Sequence, residues 1–269
     1  MKRFIFCLFI LWWLLPPQAL ALRLVVLYAA ASPVLKSLGI KEEVVGVTRR
    51  DQVFPKAIKV GTHLRPNVEL IKALQPDLVI AGSQKAFPEG LKEKVQAEVF
   101  YYDPRTLEEI LETIKRLGRR LKREEAANQL VARLRLELGK IRPLSCHPKV
   151  IYEIMERPLR VAGERNIVAD IIRVAGGRNL IRVPKKHVLI SPEQILLLAP
   201  DLYLYQIGPM NKNPTPPLRR AYFKGLKAEV KKVDEFRFSR PGPNAFQAAI
   251  ELNRIFEDFC LQKASTQGH

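Results

Sequence analysis

His63-Leu64-Arg65-Pro66-Asn67-Val68-Glu69-Leu70-Ile71-Lys72-Ala73-Leu74-Gln75-Pro76-Asp77-Leu78 and His187-Val188-Leu189-Ile190-Ser191-Pro192-Glu193-Gln194-Ile195-Leu196-Leu197-Leu198-Ala199-Pro200-Asp201-Leu202 are one pattern written twice, 124 residues apart. Both read Glu-x-Ile-x-x-Leu-x-Pro-Asp-Leu, with a histidine six residues ahead of the glutamate. Asn67 and Ser191 are good N-caps, Pro192 suits a first helical turn, and the apolar residues that follow recur at helical spacing. Pro76 and Pro200 stop those helices, and Leu78-Val79-Ile80-Ala81 and Leu202-Tyr203-Leu204-Tyr205 then read as buried strands. Helix followed by strand is α/β grammar, and the period is too long for a solenoid, so the pattern predicts two similar lobes.

The rest of the chain fits around the two copies. Leu24 to Leu27 reads as a strand, Ser32-Pro33 opens a helix ending at Gly39, Val44 to Val47 is a second strand, and Glu98 to Tyr102 closes a first lobe spanning residues 22–103. Thr106 and Glu109 form a capping box for a helical stretch over residues 104–143. A break near Gly118 to Arg123 divides its apolar pattern, and a continuous second part from Arg123 to Ile141 would span roughly 28 Å, enough to connect two lobes stiffly. Residues 144–261 form the second lobe, with a strand at Pro148 to Glu153, a helix at Ile167 to Ala175 ended by Gly176-Gly177, and a last helix from Asn244 to Cys260. Residues 262–269 read as a disordered tail.

Lys2 and Arg3 precede an apolar run from Phe4 to Leu15, and Ala19-Leu20-Ala21 supplies a small-x-small cleavage site. Residues 1–21 therefore read as a secretory signal cut after Ala21, which places the mature chain outside the cytoplasm. Cys7 follows Phe6 rather than a small residue, so lipid anchoring is not expected. Cys146 and Cys260 remain, either as a disulfide or as two separate thiols. Lys and Arg number 45 against 27 Asp and Glu, a net charge of +18. The cations are scattered through helices rather than gathered in one tail, so an anionic small ligand, an anionic membrane surface or solubility accounts for them better than nucleic acid.

Taken together, Val44-Val45-Gly46-Val47-Thr48, Val60-Gly61 with Asn67-Val68-Glu69, Leu74 to Ile80, Ala175-Gly176-Gly177-Arg178-Asn179-Leu180, Ser191-Pro192-Glu193-Gln194 and Arg240-Pro241-Gly242-Pro243 resemble the periplasmic substrate-binding proteins that serve ABC importers of vitamin B12, ferric siderophores and haem. The resemblance covers nearly the whole mature chain. It implies an α/β fold of two Rossmann-like lobes, each a small parallel sheet flanked by helices, joined by one long connecting helix. It implies no catalytic cofactor and no chemistry on the ligand, which is an iron or cobalt chelate held between the lobes of a monomer and delivered to a permease dimer. Glu69 and Glu193 match the glutamates with which such proteins dock onto permease arginines.

The vitamin B12 binders line the cleft with tryptophans, two of which align with His63 and His187; the only tryptophans here, Trp12 and Trp13, lie in the leader. Imidazole ligates iron, cobalt, nickel and zinc, so His63 and His187 are candidate metal ligands, including as axial ligands to a chelated metal. Tyr28 and Tyr205, at strand ends, are alternative haem ligands. Arg49, Arg50 and Arg65 in the first lobe, and Arg182, Lys185, Lys186 and Arg240 in the second, offer cations to carboxylates or phosphates; among all these candidates Arg50, Lys186 and Arg240 are the cations expected at the ligand, Arg240 foremost because the resemblance places an arginine there. Two rival readings are a receptor for a bare transition-metal ion or an oxyanion, with Asp51 or Glu153 completing a site beside His63 and His187 while His147 lies in the connector region, and a chelatase-like enzyme. Gly-x-Gly-x-x-Gly, Cys-x-x-Cys, Gly-x-Ser-x-Gly and His-Glu-x-x-His motifs are all absent from the sequence, which argues against the enzyme.

Overall fold

The computed structural model describes residues 22–267, so the expected leader lies outside the described residues. In the first lobe, β1 (Leu24–Val26), β2 (Val44–Val47), β3 (Ile58–Lys59), β4 (Leu78–Ala81) and β5 (Glu98–Tyr101) form one sheet in the order β3-β2-β1-β4-β5, parallel throughout. Helices α1 (Ser32–Ser37), α2 (Val68–Ala73) and α3 (Glu89–Val95) connect its strands. All four residues of β4 are buried, as a strand covered by helices on both faces requires.

Between the lobes stand two helices, α4 (Leu107–Arg120) and α5 (Glu124–Leu138), rather than one. Charge marks the division: Arg119 and Arg120 close α4, where the helix dipole favours cations, and Glu124 and Glu125 open α5, where it favours anions. Lys122 turns the chain with φ +53°. The two helices pack so closely that a Cβ on Gly118 would lie 2.4 Å from the Cβ of Ala127. The 15 residues of α5 span about 22 Å, so the connector is shorter than a helix from Arg123 to Ile141 would be.

The second lobe holds β6 (Lys149–Met155), β7 (Arg160–Ala162), β8 (Arg178–Asn179), β9 (His187–Leu189), β10 (Leu202–Ile207) and β11 (Glu229–Asp234), with helices α6 (Ile167–Val174), α7 (Pro192–Leu198), α8 (Glu235–Phe238) and α9 (Asn244–Gln267). Its sheet has a parallel region, in which β6 pairs with β8 and β10 and β10 with β11. The expected parallel sheet is present, and it is extended at one end by β7, which runs antiparallel to both β6 and β9. Only four residues join β6 to β7, too few for a helical crossover, so the chain returns as a hairpin. The last helix also exceeds its expected end at Cys260 and continues to Gln267, so residues 262–267 are helical rather than a disordered tail. No glycine or proline interrupts them before Gly268. Cys146 and Cys260 are joined as a disulfide, which fastens α9 to the entry of the second lobe.

One apolar core runs beneath both sheets. Val26 and Ile80 from the first, Val150 and Tyr152 from the second, Ile114 of α4, Leu134 of α5 and Phe246 and Phe256 of α9 belong to a single buried cluster. Each sheet's other face has a smaller core of its own.

The duplicated pattern builds the same local structure in each lobe. Asn67 Oδ1 accepts from the Leu70 N–H at 3.0 Å, and Ser191 Oγ accepts from that of Gln194 at 3.3 Å, capping α2 and α7. Gln75 and Ala199, each just before the proline, take left-handed conformations with φ +44° and +43°. Asp77 Oδ2 accepts the N–H of Arg23 at 2.8 Å, and Asp201 Oδ2 accepts that of Lys149 at 2.7 Å. Both aspartates thus clasp the amino end of the neighbouring central strand, β1 or β6. Replacing Asp77 or Asp201 by Ala removes that acceptor and is expected to cost roughly 0.5–1.5 kcal/mol of folding stability, since water can reach the freed N–H. Urea unfolding measures this, and ligand affinity should be unchanged because both clasps lie at the strand ends opposite the cleft.

Candidate functional site

The two parallel regions turn the carboxyl ends of their strands toward each other, the position at which α/β sheets hold ligands. Contacts across this cleft fix the lobes. The Tyr102 hydroxyl, just past β5, donates to the Pro241 carbonyl at 2.8 Å, and Lys186 Nζ lies 2.5 Å from Asp103 Oδ1. Asp170 of α6 accepts the N–H of Leu107, the first residue of α4, at 2.7 Å.

Tyr28 follows β1, with its ring packed on Gly82 and 6.2 Å from that of Tyr102. Burial, reinforced by Asp103 and partly offset by Arg240, pushes its phenol up to about 12. The Arg240 guanidinium lies 4.0 Å over the ring of Phe236. Desolvation lowers its pKa, while Glu235, Tyr28 and Asp51 act in the opposite direction. Glu235 opens α8 and accepts the N–H of Met210 at 2.6 Å. Burial raises its carboxyl above the ordinary range, and the Met210 N–H, Arg240 and Arg50 draw it back.

Both pattern histidines border this group. Burial and then Arg50 lower the pKa of His63; burial, Arg160 and Lys186 lower that of His187. Both imidazoles are therefore biased toward the neutral form that binds metals. Electrostatic influence runs through these groups in order, His63, Arg50, Glu235, Arg240, Tyr28, Asp103, Lys186 and His187, with the ion pair of Lys186 and Asp103 as the direct contact. Six of the seven residues expected at the ligand belong to it.

Tyr205 does not, and that expectation is corrected. Only 8% exposed, it packs with Ile151, Tyr203 and Phe223 on the face of the second sheet away from the connecting helices, because its place in β10 points it to that side. Arg49, Arg65, Arg182 and Lys185 are solvent-exposed, as are Arg50, His63 and Lys186 at the rim of the cleft. Sequence reading missed the two acids, Asp103 and Glu235. Asp103-Pro104 registered only as a strand end, and nothing local to Glu235 shows that its carboxyl lies near Arg50 of the other lobe.

Glu69 and Glu193 stand exposed in the first turns of α2 and α7, at equivalent places on the two lobes. The backbone N–H of Glu193 itself and the Ser191 hydroxyl lower the Glu193 carboxyl.

The residues proposed to complete a bare-metal site are engaged elsewhere. Asp51 accepts the N–H groups of Val53 at 2.9 Å and Phe54 at 3.2 Å, and His147 Nδ1 sits 2.8 Å from the Gly176 carbonyl. Glu153 is fully buried in a fork with Arg220, at 2.5 and 2.9 Å, and also accepts from the Tyr203 hydroxyl at 2.6 Å. Arg220 Nε in turn donates to the Thr215 carbonyl at 2.7 Å, which fastens the loop after β10 to the sheet. Among the described residues no group of three or more His, Cys, Asp or Glu is placed to hold a metal ion.

Two lobes on a common core, with a charged cleft between them, define a solute-binding protein. The chain belongs to the periplasmic binding protein family, whose model matches residues 24–255. The high-affinity heme uptake system protein IsdE of Staphylococcus aureus (strain MRSA252) is 26% identical over 206 residues, covering 74% of this chain and 65% of that protein, so the match spans less than two thirds of the relative's length. The fold is shared with S. aureus IsdE complexed with heme (TM-score 0.77, 23% identity, 87% of this chain and 98% of that one). It is also shared with the periplasmic heme-binding protein BhuT in complex with two hemes (0.76, 22%, 88% and 98%) and the vitamin B12 binding protein BtuF of Vibrio cholerae (0.70, 19%, 88% and 97%). These relatives are solute-binding proteins, not enzymes. No helix among the described residues is long and apolar enough to cross a membrane.

The Glu153–Arg220 pair gives a test of what holds the cleft wall. Arg220→Met strands a buried carboxylate and is expected to cost about 3–5 kcal/mol, most of it recovered on adding Glu153→Met. Thermal and urea unfolding of the single and double variants measure the coupling.

Proposed function

We propose that this protein captures an iron or cobalt chelate between its lobes, haem in preference to a corrinoid or ferric siderophore, and hands it to the permease of an ABC importer. The observation that carries this reading is the interlobe series of residues with Tyr28 at its centre. A haem needs a ligand for its iron and cations for its carboxylates. Tyr28 supplies a phenol, and Arg50, Arg240 and Lys186 supply charge from both lobes. His63 and His187, biased toward neutrality, are the alternative metal ligands. Several relatives carry heme in their names, and the tryptophans expected of a B12 binder are missing from the mature chain. The chelate is cargo, with no catalytic cofactor involved.

Delivery rests on Glu69 and Glu193. Two exposed carboxylates at equivalent points of two similar lobes suit a permease built of two like subunits, each offering arginine. The protein works as a monomer in the periplasm, its leader removed after Ala21. Replacing both glutamates by Ala is expected to abolish uptake in cells while leaving ligand affinity in solution unchanged. Loss of affinity would instead put the glutamates at the ligand.

The pH dependence distinguishes the metal ligands. The Tyr28 phenol, pushed up to about 12, is protonated at neutral pH, and coordination requires it to release that proton. Haem affinity should therefore rise as the pH is raised above neutrality, by up to roughly ten-fold per pH unit until hydroxide competes for the iron. Tyr28→Phe should remove both this slope and the phenolate band of the ferric spectrum. If the slope persists in Tyr28→Phe and the spectrum changes in His63→Ala or His187→Ala, the imidazoles hold the metal.

A further inference from the structure

A second feature of the molecule lies away from the cleft. A groove of about 870 Å³ opens on the second lobe at the amino ends of β10 and β11, the ends opposite the cleft. Leu196, Leu226, Ala228 and Phe259 give it an apolar lining, with Lys227 and Lys263 among them. Its two acids are already engaged: Asp201 clasps the Lys149 N–H and lies 3.9 Å from Lys263, and Glu229 pairs with Lys231 at 2.6 Å. Beside the groove, α7 packs against the short helical turn Ala221–Phe223, with Ile195 and Phe223 buried in one cluster.

The outer side of these same elements is apolar and basic. Leu197 is 86% exposed, Leu218 65% and Tyr222 40%. Arg219 and Lys224 are exposed next to them, as is Lys227, and none of the three makes an ion pair among the described residues. Acids also border the region: Glu193 at the far end of α7, Glu156 acting on Tyr222, and the paired Asp201 and Glu229 of the groove. Large aliphatic side chains standing in water among unpaired cations are characteristic of proteins that rest on a lipid interface.

We propose that this face of the second lobe docks on a bilayer surface carrying anionic phospholipid, with Arg219, Lys224 and Lys227 meeting headgroup phosphates and Leu197, Leu218 and Tyr222 entering the interface between them. Charge complementarity selects this occupant: the chain carries +18, and the patch adds apolar side chains that a purely electrostatic contact would not need. Such docking keeps a loaded receptor close to the membrane and reduces its search for a permease from three dimensions to two.

The test is co-sedimentation of the full mature chain with vesicles of phosphatidylcholine alone and of phosphatidylcholine mixed equally with phosphatidylglycerol. Binding is expected only to the mixed vesicles and should weaken as salt screens the contact. Each cation near such a surface contributes roughly five-fold in partitioning, so Arg219→Glu with Lys224→Glu and Lys227→Glu should weaken binding at least a hundred-fold. The control Lys115→Glu with Arg119→Glu and Arg133→Glu changes the net charge equally from α4 and α5 and should retain most of it. Leu197→Ser with Leu218→Ser, both at exposed positions, should weaken binding without changing net charge. Equal loss in the two charge-reversed triples, or no binding to mixed vesicles at low salt, overturns the proposal. So does sedimentation without vesicles that Leu197→Ser abolishes, since the face would then pair with a second copy of the chain.

Discussion

The apolar core shared by the two sheets is the constraint on which the rest of the molecule depends. Val26, Ile80, Val150, Tyr152, Ile114, Leu134 and Phe256 are parts of one buried cluster rather than of two cores joined by a linker. Swinging the lobes apart would bring some of these side chains into water, at about 25 cal/mol for each Å² of apolar surface exposed. The hydrogen bond from Tyr102 to Pro241 and the capping of Leu107 by Asp170 oppose the same motion with directional contacts. Both effects oppose a large change in the width of the cleft.

Within that frame the duplicated pattern separates into parts with different duties. The aspartates are structural, since each gives its side chain to the strand next to its own, and their backbone groups continue the same clasp: Asp77 N–H to Arg23 O at 2.9 Å and Asp201 N–H to Lys149 O at 2.8 Å. Asn67 and Ser191 are helix caps. Among the described residues the glutamates accept from no group outside their own helix turns, and both stand in solvent. The histidines lie at the two ends of the interlobe series, where burial and neighbouring cations favour the neutral ring. A repeated sequence thus produces a repeated scaffold, while the proposed ligand site lies between the two copies.

That division explains what could be read from the sequence. β2 and β4 match their expected limits residue for residue, because a buried strand bounded by turn residues is a local signal. The pairing of Cys146 with Cys260 could not be read, since it depends on α9 returning to the start of the second lobe over 114 residues. The antiparallel β7 was missed because short hairpins carry no helix period to announce them. Tyr205 was misplaced for a simpler reason. A strand end offers two faces, and the face that Tyr205 takes is set by its register with Glu153 on β6 and Lys232 on β11, which no single segment specifies. Tyr28, one residue past the last hydrogen bond of β1 to β4, escapes that ambiguity by leaving the sheet altogether.

Asp103 and Glu235 carry the argument about the cleft furthest. Each stands near a cation of the other lobe, Asp103 with Lys186 and Glu235 with Arg50, and both also act on residues at the centre of the series. A cleft of unopposed arginine and lysine would repel itself and pull its side chains into solvent. With two internal carboxylates the cations are held in place before any ligand arrives, which lowers the cost of ordering them on binding. The same carboxylates compete with an anionic ligand for those cations, so part of the attraction is spent on exchange. A receptor that must surrender its cargo is served by that balance: the cations stay positioned, and the internal acids are ready to take them back as the ligand departs.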